Sequence, residues 1–159
     1  MKHSTIANTF RIAAIAAIAL VMAPAAKAQA TGCTNAMLRG TFVYTLTGFI
    51  VNPAFPGPFA EVGTQTFDGR GGTTAIATLN ANGNIQKITI TGTYKVNDDC
   101  TGTFTLLVAP FGTTNIVLFV IDNGGNGFQS MEVNPNQGST GVVTGVGRRQ
   151  FPVGDVRSN

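Results

Sequence analysis

The sequence has 159 residues, of which 43% are hydrophobic and 11% are charged, and its formal net charge is +3. Three of its ten basic residues and none of its seven acidic ones lie in the first 30 positions, so the rest of the chain is neutral. A neutral body excludes a basic nucleic-acid-binding protein, and no nucleic-acid partner is expected. The single histidine, His3, also lies in that first segment. The body must therefore work without imidazole, which excludes a Ser-His-Asp triad and a histidine-based zinc site.

The N-terminal segment has the pattern of a secretory signal peptide. Residues 1–11 are polar and positively charged, residues 12–23 form an unbroken apolar run, and the Ala-Lys-Ala sequence at 26–28 is typical of a cleavage site. The apolar run is shorter than the roughly 20 residues of a membrane-spanning helix, so no membrane span is expected once the leader is removed. The sequence predicts a signal peptide over 1–28 and a single secreted or periplasmic domain over 29–159.

Two cysteines, Cys33 and Cys100, lie in this domain. Outside the reducing cytosol, such a pair is interpreted most simply as one disulfide. An alternative interpretation starts from residues 30–33, which resemble a lipobox, so that Cys33 would be acylated and would anchor the protein to a membrane. Ala30 fits the first lipobox position poorly, and the disulfide is the preferred prediction.

After Cys33 the chain alternates short β-favouring segments with clusters of Gly, Asn and Asp, and no segment has helical periodicity. The predicted strands are 41–49, 60–67, 72–79, 85–96, 103–109, 114–121, 127–133 and 140–150. In the first of them, Phe42, Tyr44 and Leu46 alternate with threonines, so that one face is apolar and the other polar. Eight strands joined by tight turns predict an all-β, antiparallel, eight-stranded up-and-down barrel, because closure removes exposed strand edges. A two-sheet β-sandwich is the alternative.

The segment 116–121 breaks this alternation, because it reads Ile-Val-Leu-Phe-Val-Ile and is apolar on both faces. If its odd-numbered residues point inward, Ile116, Leu118 and Val120 form an apolar patch on the outer wall, which we call the outer patch. Exposed apolar patches mark interaction surfaces, so the outer patch predicts a homo-oligomer. Alternatively, the proline-rich loop or the N-terminal segment covers it.

Five polar side chains fall on predicted inner faces, namely Tyr44, Glu61, Gln65, Ser130 and Glu132. Burial raises the pKa of a carboxyl group and suits it to general acid or base work, so Tyr44, Glu61 and Glu132 are the candidate catalytic residues. The alternative is that Met131 points inward, which makes Glu132 a solvated strand residue, and that Glu61 is an ordinary charge at a strand end.

The segment 52–59 combines three prolines with Phe55 and Phe59. Proline stiffens the backbone, so this loop is either a lid that contacts a ligand or a rigid connection whose rings close one end of the core. The candidate ligand contacts are Tyr44, Phe55, Phe59, Gln65 and Phe119. No metal or other cofactor is expected.

The sequence resembles two groups of known barrel proteins. Gly-Thr-Phe at 40–42 with Arg148 or Arg149 near the end is similar to lipocalins, which have Gly-x-Trp on strand one and a late arginine packed against that ring. Three longer motifs lie in the body: Cys-Thr-Asn at 33–35 followed by Leu-Arg-Gly-Thr-Phe at 38–42, Asn-Asp-Asp-Cys-Thr-Gly-Thr at 97–103, and Gly-Val-Gly-Arg-Arg-Gln at 145–150. On these motifs the body resembles a group of small secreted bacterial proteins whose barrel is similar to the allene oxide cyclase and dirigent type. The resemblance implies a fold and no settled activity.

Three functions are compatible with these features. The first is a secreted or periplasmic barrel that binds a small apolar ligand without catalysis. The second, implied by the allene oxide cyclase resemblance, is a cofactor-free isomerase or cyclase. The third is a structural or envelope-associated protein that works through the outer patch.

Overall fold

Eight antiparallel strands form a closed barrel in the computed structural model, which describes residues 32–51, 56–133 and 141–151. The strands are β1 (Gly40–Ile50), β2 (Gly57–Phe67), β3 (Gly72–Ala81), β4 (Asn84–Val96), β5 (Thr101–Ala109), β6 (Thr113–Asp122), β7 (Gly127–Glu132) and β8 (Gly141–Arg149). Each strand pairs with its neighbours along the chain, and β8 pairs with β1. The predicted barrel is confirmed with strand ends shifted by at most three residues, and the sandwich alternative is wrong. The signal peptide over 1–28 and Phe55 lie outside the described residues.

The alternation of side chains sets the inside and the outside of the barrel. In β4, Ile88, Ile90, Tyr94 and Val96 are buried, whereas the threonines between them are exposed. Threonine favours strands because it is β-branched, and its hydroxyl suits the solvent-facing side. The low charge content of the chain follows, since threonine takes the outer positions that charged residues often hold.

One end of the barrel is closed by the segment that precedes β1. A short 3-10 helix, Asn35–Leu38, covers this end, and Leu38 is fully buried. The Asn35 side-chain oxygen accepts a hydrogen bond from the Val96 N–H at 2.8 Å, and the Asn35 carbonyl accepts one from the Tyr94 hydroxyl at 3.0 Å. The predicted Cys33–Cys100 disulfide is confirmed and ties the same segment to the turn after β4.

Aromatic rings fill the half of the barrel next to this closed end. Its buried rings are Phe42, Phe67, Tyr94, Phe104, Phe119 and Phe128. Phe104 and Phe119 stack with centroids 4.1 Å apart, and Phe67 meets Phe42 edge to face at 5.4 Å. Such pairs add about 0.5–1.5 kcal/mol each beyond the area that they bury. The Phe128 ring lies over Gly147, where any side chain would collide with it. Glycine at that position therefore lets a large ring occupy the interior.

Arg149 completes the closed end. Its guanidinium lies 4.6 Å from the centre of the Phe42 ring. It also donates hydrogen bonds to the carbonyl oxygens of Arg39, of Met37 at 2.7 Å and of Gly125 at 2.8 Å. The expectation of a late arginine packed on the strand-one ring is confirmed. Arg149 takes this role because it lies on the inward side of β8.

Candidate functional site

The other half of the barrel is lined by smaller side chains. Its buried apolar residues are Tyr44, Ala75, Ala77, Leu79, Ile88, Ile90 and Val108. Nearer the mouth, Leu46, Phe59 and Ala81 pack against this cluster and are only partly buried. Inward-facing side chains therefore gain exposure toward the ends of β1 and β3 and the start of β2. We call this part of the interior the open half, because some of the inward-facing side chains at that end are only partly buried.

A buried hydrogen-bonded pair lies in the open half. The Tyr44 hydroxyl donates to Glu61 Oε1 at 2.6 Å, and the two side chains are 6% and 7% exposed. Tyr44 on β1 lies opposite Gly63 on β2, one inward position from Glu61. The absence of a side chain at Gly63 leaves the space across which Tyr44 reaches Glu61. A Cβ at that glycine would also lie 2.6 Å from the Ile76 carbonyl oxygen.

The electrostatics of the pair follow from its burial. Burial raises the pKa of Glu61, the Tyr44 hydrogen bond opposes this, and the nearby Glu132 carboxylate raises it further. Burial and the Glu61 charge also raise the pKa of Tyr44, so the phenol stays protonated and acts as a donor. The Glu61 carboxyl group thus has a raised pKa, and the neutral Tyr44 phenol donates a hydrogen bond to it.

The wild-type protein is expected to lose stability as the pH rises, and Glu61→Gln should remove this loss. Since the Glu61 pKa is raised in the folded state, its contribution is fully present below the unfolded pKa, near the ordinary 4.5, and is lost as pH rises through the folded pKa. Urea unfolding at several pH values should show a steeper decline for the wild type than for Glu61→Gln. The exposed Asp98→Asn serves as the control for loss of one charge and should follow the wild type. Identical pH profiles for wild type and Glu61→Gln would contradict the burial argument.

A second polar group lies deeper, next to the aromatic half. Gln65 donates from Nε2 to Thr73 Oγ1 at 3.1 Å, and the Thr73 hydroxyl donates to the Thr66 carbonyl at 3.0 Å. Both Gln65 and Thr73 are buried. Thr73 is not among the residues predicted from the sequence, although the period-two pattern of its strand puts it on the inner face with Ala75. Threonine is so common on the outer faces here that the pattern alone did not single it out.

The structure decides the alternatives for the two glutamates. Glu61 lies within β2 and is buried, so its interpretation as a strand-end charge is wrong. Met131 is 47% exposed and points outward, so the alternative that places Met131 inside is wrong as well. Glu132, at the end of β7, is half-buried and acts electrostatically on Glu61. The three candidate catalytic residues therefore belong to the same region.

The candidate ligand contacts divide between the two halves. Tyr44 and Phe59 belong to the open half, and Gln65 lies between the halves. Phe119 is 2% exposed and is stacked on Phe104 in the aromatic half, away from the mouth.

The outer wall carries the predicted apolar surface. Val117, Phe119 and Ile121 are buried, whereas Leu118 and Val120 are 45% and 50% exposed. Ile116, the third residue of the outer patch, is half-buried. A shallow depression of about 500 Å³ runs along this wall, and its outward-facing lining is formed by Thr101, Thr103, Leu118, Val120, Gln129 and Met131.

The part of the chain that the structure describes offers neither a cluster of metal ligands nor a membrane-spanning helix. Within it, no group of three or more His, Cys, Asp or Glu side chains is arranged to hold a metal ion. Within the same residues, no helix has the length and apolarity needed to cross a membrane.

Comparison with solved structures shows similarity to redesigned β-barrels. One of them, mFAP1 bound to DFHBI, is 19% identical with a TM-score of 0.54, and the match covers 72% of this chain and 97% of that one. Another, b11L5F_LGL, is 18% identical with a TM-score of 0.53, and the match covers 73% and 94%. These similarities show the barrel fold alone. No protein-family model matches the sequence, and no curated protein matches it either.

Proposed function

We propose that the protein is a secreted or periplasmic barrel that binds a small apolar ligand in its open half. The observation that carries this proposal is the division of the interior. Rings fill one half, whereas alanine and aliphatic side chains surround the buried Tyr44–Glu61 pair in the other. Apolar walls with few polar groups are typical of small-ligand sites. In support, the similar redesigned barrel mFAP1 is bound to a small molecule, DFHBI.

Two observations support a location outside the cytosol. The leader pattern over 1–28 is typical of exported chains. The Cys33–Cys100 disulfide is typical of proteins that fold in an oxidising compartment. A Cys33 sulfur held in a disulfide is not available for acylation, so a lipid anchor at Cys33 is not part of the proposal.

Narrowing the open half is expected to weaken ligand binding. The probe is N-phenyl-1-naphthylamine, whose fluorescence rises in apolar surroundings. Ala77→Phe places a ring on the inner wall, because Ala77 is buried and lies across Gly63 from Tyr44. It should weaken binding by at least about tenfold, equivalent to about 1.4 kcal/mol.

Ile76→Phe is the matched control, since Ile76 is the preceding residue on β3 and is 68% exposed on the outer face. This variant should bind as the wild type does. Circular dichroism must show that both variants are folded, because added volume in a core destabilises by about 1–3 kcal/mol. Absence of binding by the wild type, or equal loss in both variants, would contradict the proposal.

The second candidate function is a cofactor-free isomerase or cyclase that acts in the same open half of the barrel. It is favoured by the buried Tyr44–Glu61 pair, because a carboxyl group with a raised pKa is suited to proton transfer near neutral pH. Glu61 is the proposed acid or base. Tyr44 donates a hydrogen bond that orients the Glu61 carboxyl group, and the Glu132 charge raises the pKa of Glu61. Mass spectrometry and chromatography of a recovered ligand distinguish the candidates. A rearranged product of unchanged mass that disappears in Glu61→Gln supports catalysis, and an unchanged ligand supports binding alone.

The third proposal is self-association through the outer patch, which would also suit an envelope-associated role. Size-exclusion chromatography of the wild type should show a dimer or a larger species, and Leu118→Lys should shift it to a monomer. Val142→Lys is the control, since Val142 is 65% exposed on β8. A strict monomer at high wild-type concentration would overturn this proposal.

A further inference from the structure

We propose that the mouth end of the barrel docks on a lipid surface through exposed apolar side chains around its edge. The mouth end is the one where β1, β3, β5 and β7 end. We call these side chains the mouth rim, and they are Phe49, Val51, Ile85, Phe111 and Val142. The proposal concerns the outer surface of the barrel and does not depend on ligand binding in the open half.

The mouth rim occupies two opposite sides of the barrel. On one side, Phe49 of β1 pairs with Val142 of β8, and Val51 follows β1 directly. On the other side, Ile85 is the second residue of β4, and Phe111 lies in the turn between β5 and β6. These side chains are 48–67% exposed. Because β1 and β8 lie across the closed barrel from β4 and β5, a partner that buries both sides must extend across the mouth.

Exposed charged side chains are concentrated at the opposite, closed end. The acidic ones there are Asp68, Asp98 and Asp99, and the basic ones are Arg39, Arg70, Lys95 and Arg148. Of the acidic side chains described in the mouth half, Glu61 is buried and Glu132 is half-buried. The segments 52–55 and 134–140, which lie outside the described residues, contain no charged residue. Among the described residues, the mouth half therefore presents no exposed acidic group that would repel an anionic lipid surface.

Lys87 is the exposed charge of the mouth half among the described residues. It lies on the outer face of β4 two residues after Ile85, which places it about 7 Å further from the mouth. If Ile85 enters the acyl boundary of a bilayer, Lys87 lies at the depth of the phosphates, and its long stem lets the ammonium group reach them. An anionic lipid surface attracts a basic side chain at this position.

The arrangement of the mouth rim favours a lipid surface over a protein partner. A specific protein interface has a continuous, closely packed centre, whereas the mouth rim is divided between two sides of the barrel end. Lipid chains are fluid, so a bilayer buries separated side chains without matching their shape. Interfacial binding strengthens with the apolar area buried and with attraction to anionic lipids, and this end supplies both contributions.

Flotation with lipid vesicles tests the proposal. The chain from residue 29 is used, because the apolar leader would itself bind lipid. The wild type should float with vesicles of phosphatidylcholine and phosphatidylglycerol in equal parts. Phe49→Ser and Phe111→Ser, one from each side of the mouth, should each lower the partition coefficient by at least about fivefold. Phe151→Ser is the matched control and should float as the wild type does, since Phe151 is 68% exposed at the closed end.

Two lysines on the same face of one strand test the contribution of charge. Lys87→Gln should weaken binding to the mixed vesicles by about fivefold and leave binding to pure phosphatidylcholine unchanged. Lys95→Gln is the matched control, because Lys95 is also exposed on the outer face of β4 but lies near the closed end. It should bind both kinds of vesicle as the wild type does.

A tryptophan placed at either end reports which end contacts lipid, because the chain contains none. The emission of Phe111→Trp should shift to shorter wavelength on vesicles and should be quenched by brominated acyl chains. The emission of Phe151→Trp should show neither effect. Both are exchanges of one exposed aromatic ring for another, so they report on docking even if a serine variant does not fold.

Several results would overturn lipid docking. One is a wild type that floats with neither kind of vesicle, and another is a Phe151→Ser variant that loses as much binding as the two mouth variants. Equal effects of Lys87→Gln and Lys95→Gln, or quenching at position 151 in place of 111, would contradict the proposed orientation. A wild type that does not float but associates without lipid, and becomes monomeric in Phe49→Ser, would make the mouth rim a contact between copies. Each of these results leaves the ligand-binding proposal intact, because that proposal is measured in solution with the fluorescent probe.

Discussion

Arg149→Ala is expected to lower the free energy of unfolding by about 4 kcal/mol, a large part of the 5–15 kcal/mol that stabilises a typical domain. The guanidinium donates to the carbonyl oxygens of Arg39, Met37 and Gly125 and to the side chain of Asn126. Truncation leaves these acceptors without their donor and uncovers the face of the Phe42 ring. Hydrogen bonds to a charged group contribute about 1.5–3 kcal/mol each but are not additive within one network.

The adjacent arginine gives the matched control. Arg148 is exposed on the outer side of β8, so Arg148→Ala removes the same charge and should change stability by less than about 0.5 kcal/mol. Urea unfolding followed by circular dichroism measures both variants. Arg149→Lys should recover only part of the loss, because an ammonium group cannot reach carbonyls on several sides as a planar guanidinium does. Equal effects of the two alanine variants would contradict the role assigned to Arg149.

The contrast between the two arginines illustrates what the sequence can predict. The side-chain alternation and the turn residues were sufficient for the number of strands, their order and the barrel, because period two is a local property. The resemblance to the lipocalin pattern does not decide whether Arg148 or Arg149 packs on the Phe42 ring. The two arginines differ because Arg149 lies on the inward side of β8 and Arg148 on the outer side. A shift of one residue in the strand register would exchange these two positions.

The site was harder to predict than the fold, because it depends on contacts between strands. The alternation placed Tyr44 and Glu61 on inner faces, but their hydrogen bond requires the β1–β2 register that sets Tyr44 opposite Gly63. The start of β2 was predicted three residues late because of the prolines. Pro58 is nevertheless part of β2 near its first residue, where a missing N–H is tolerated. This extension turns Glu61 from a strand-end residue into a buried one.

Removing the disulfide through Cys33→Ala with Cys100→Ala is expected to lower the free energy of unfolding by about 4 kcal/mol. The cross-link closes a loop with a sequence separation of 67 residues, so its loss frees the unfolded chain, which gains conformational entropy. Cys33 is also buried against the aromatic cluster and holds the segment that covers the closed end. The double variant should therefore unfold at lower urea concentration, and its N-terminal segment should exchange amide hydrogens faster than the wild type does.

The control keeps the sequence and changes only the bond. Wild-type protein that is reduced and alkylated while unfolded should refold to about the same lowered stability as the double variant. Intact mass of the exported protein checks the premise, because a disulfide removes two hydrogens whereas acylation of Cys33 adds on the order of hundreds of daltons. A mass that matches the chain from residue 29 with one disulfide agrees with the predicted leader over 1–28 as well. An unfolding free energy within about 1 kcal/mol of wild type in both unlinked forms would show that the barrel strands hold the closed end without the covalent bond.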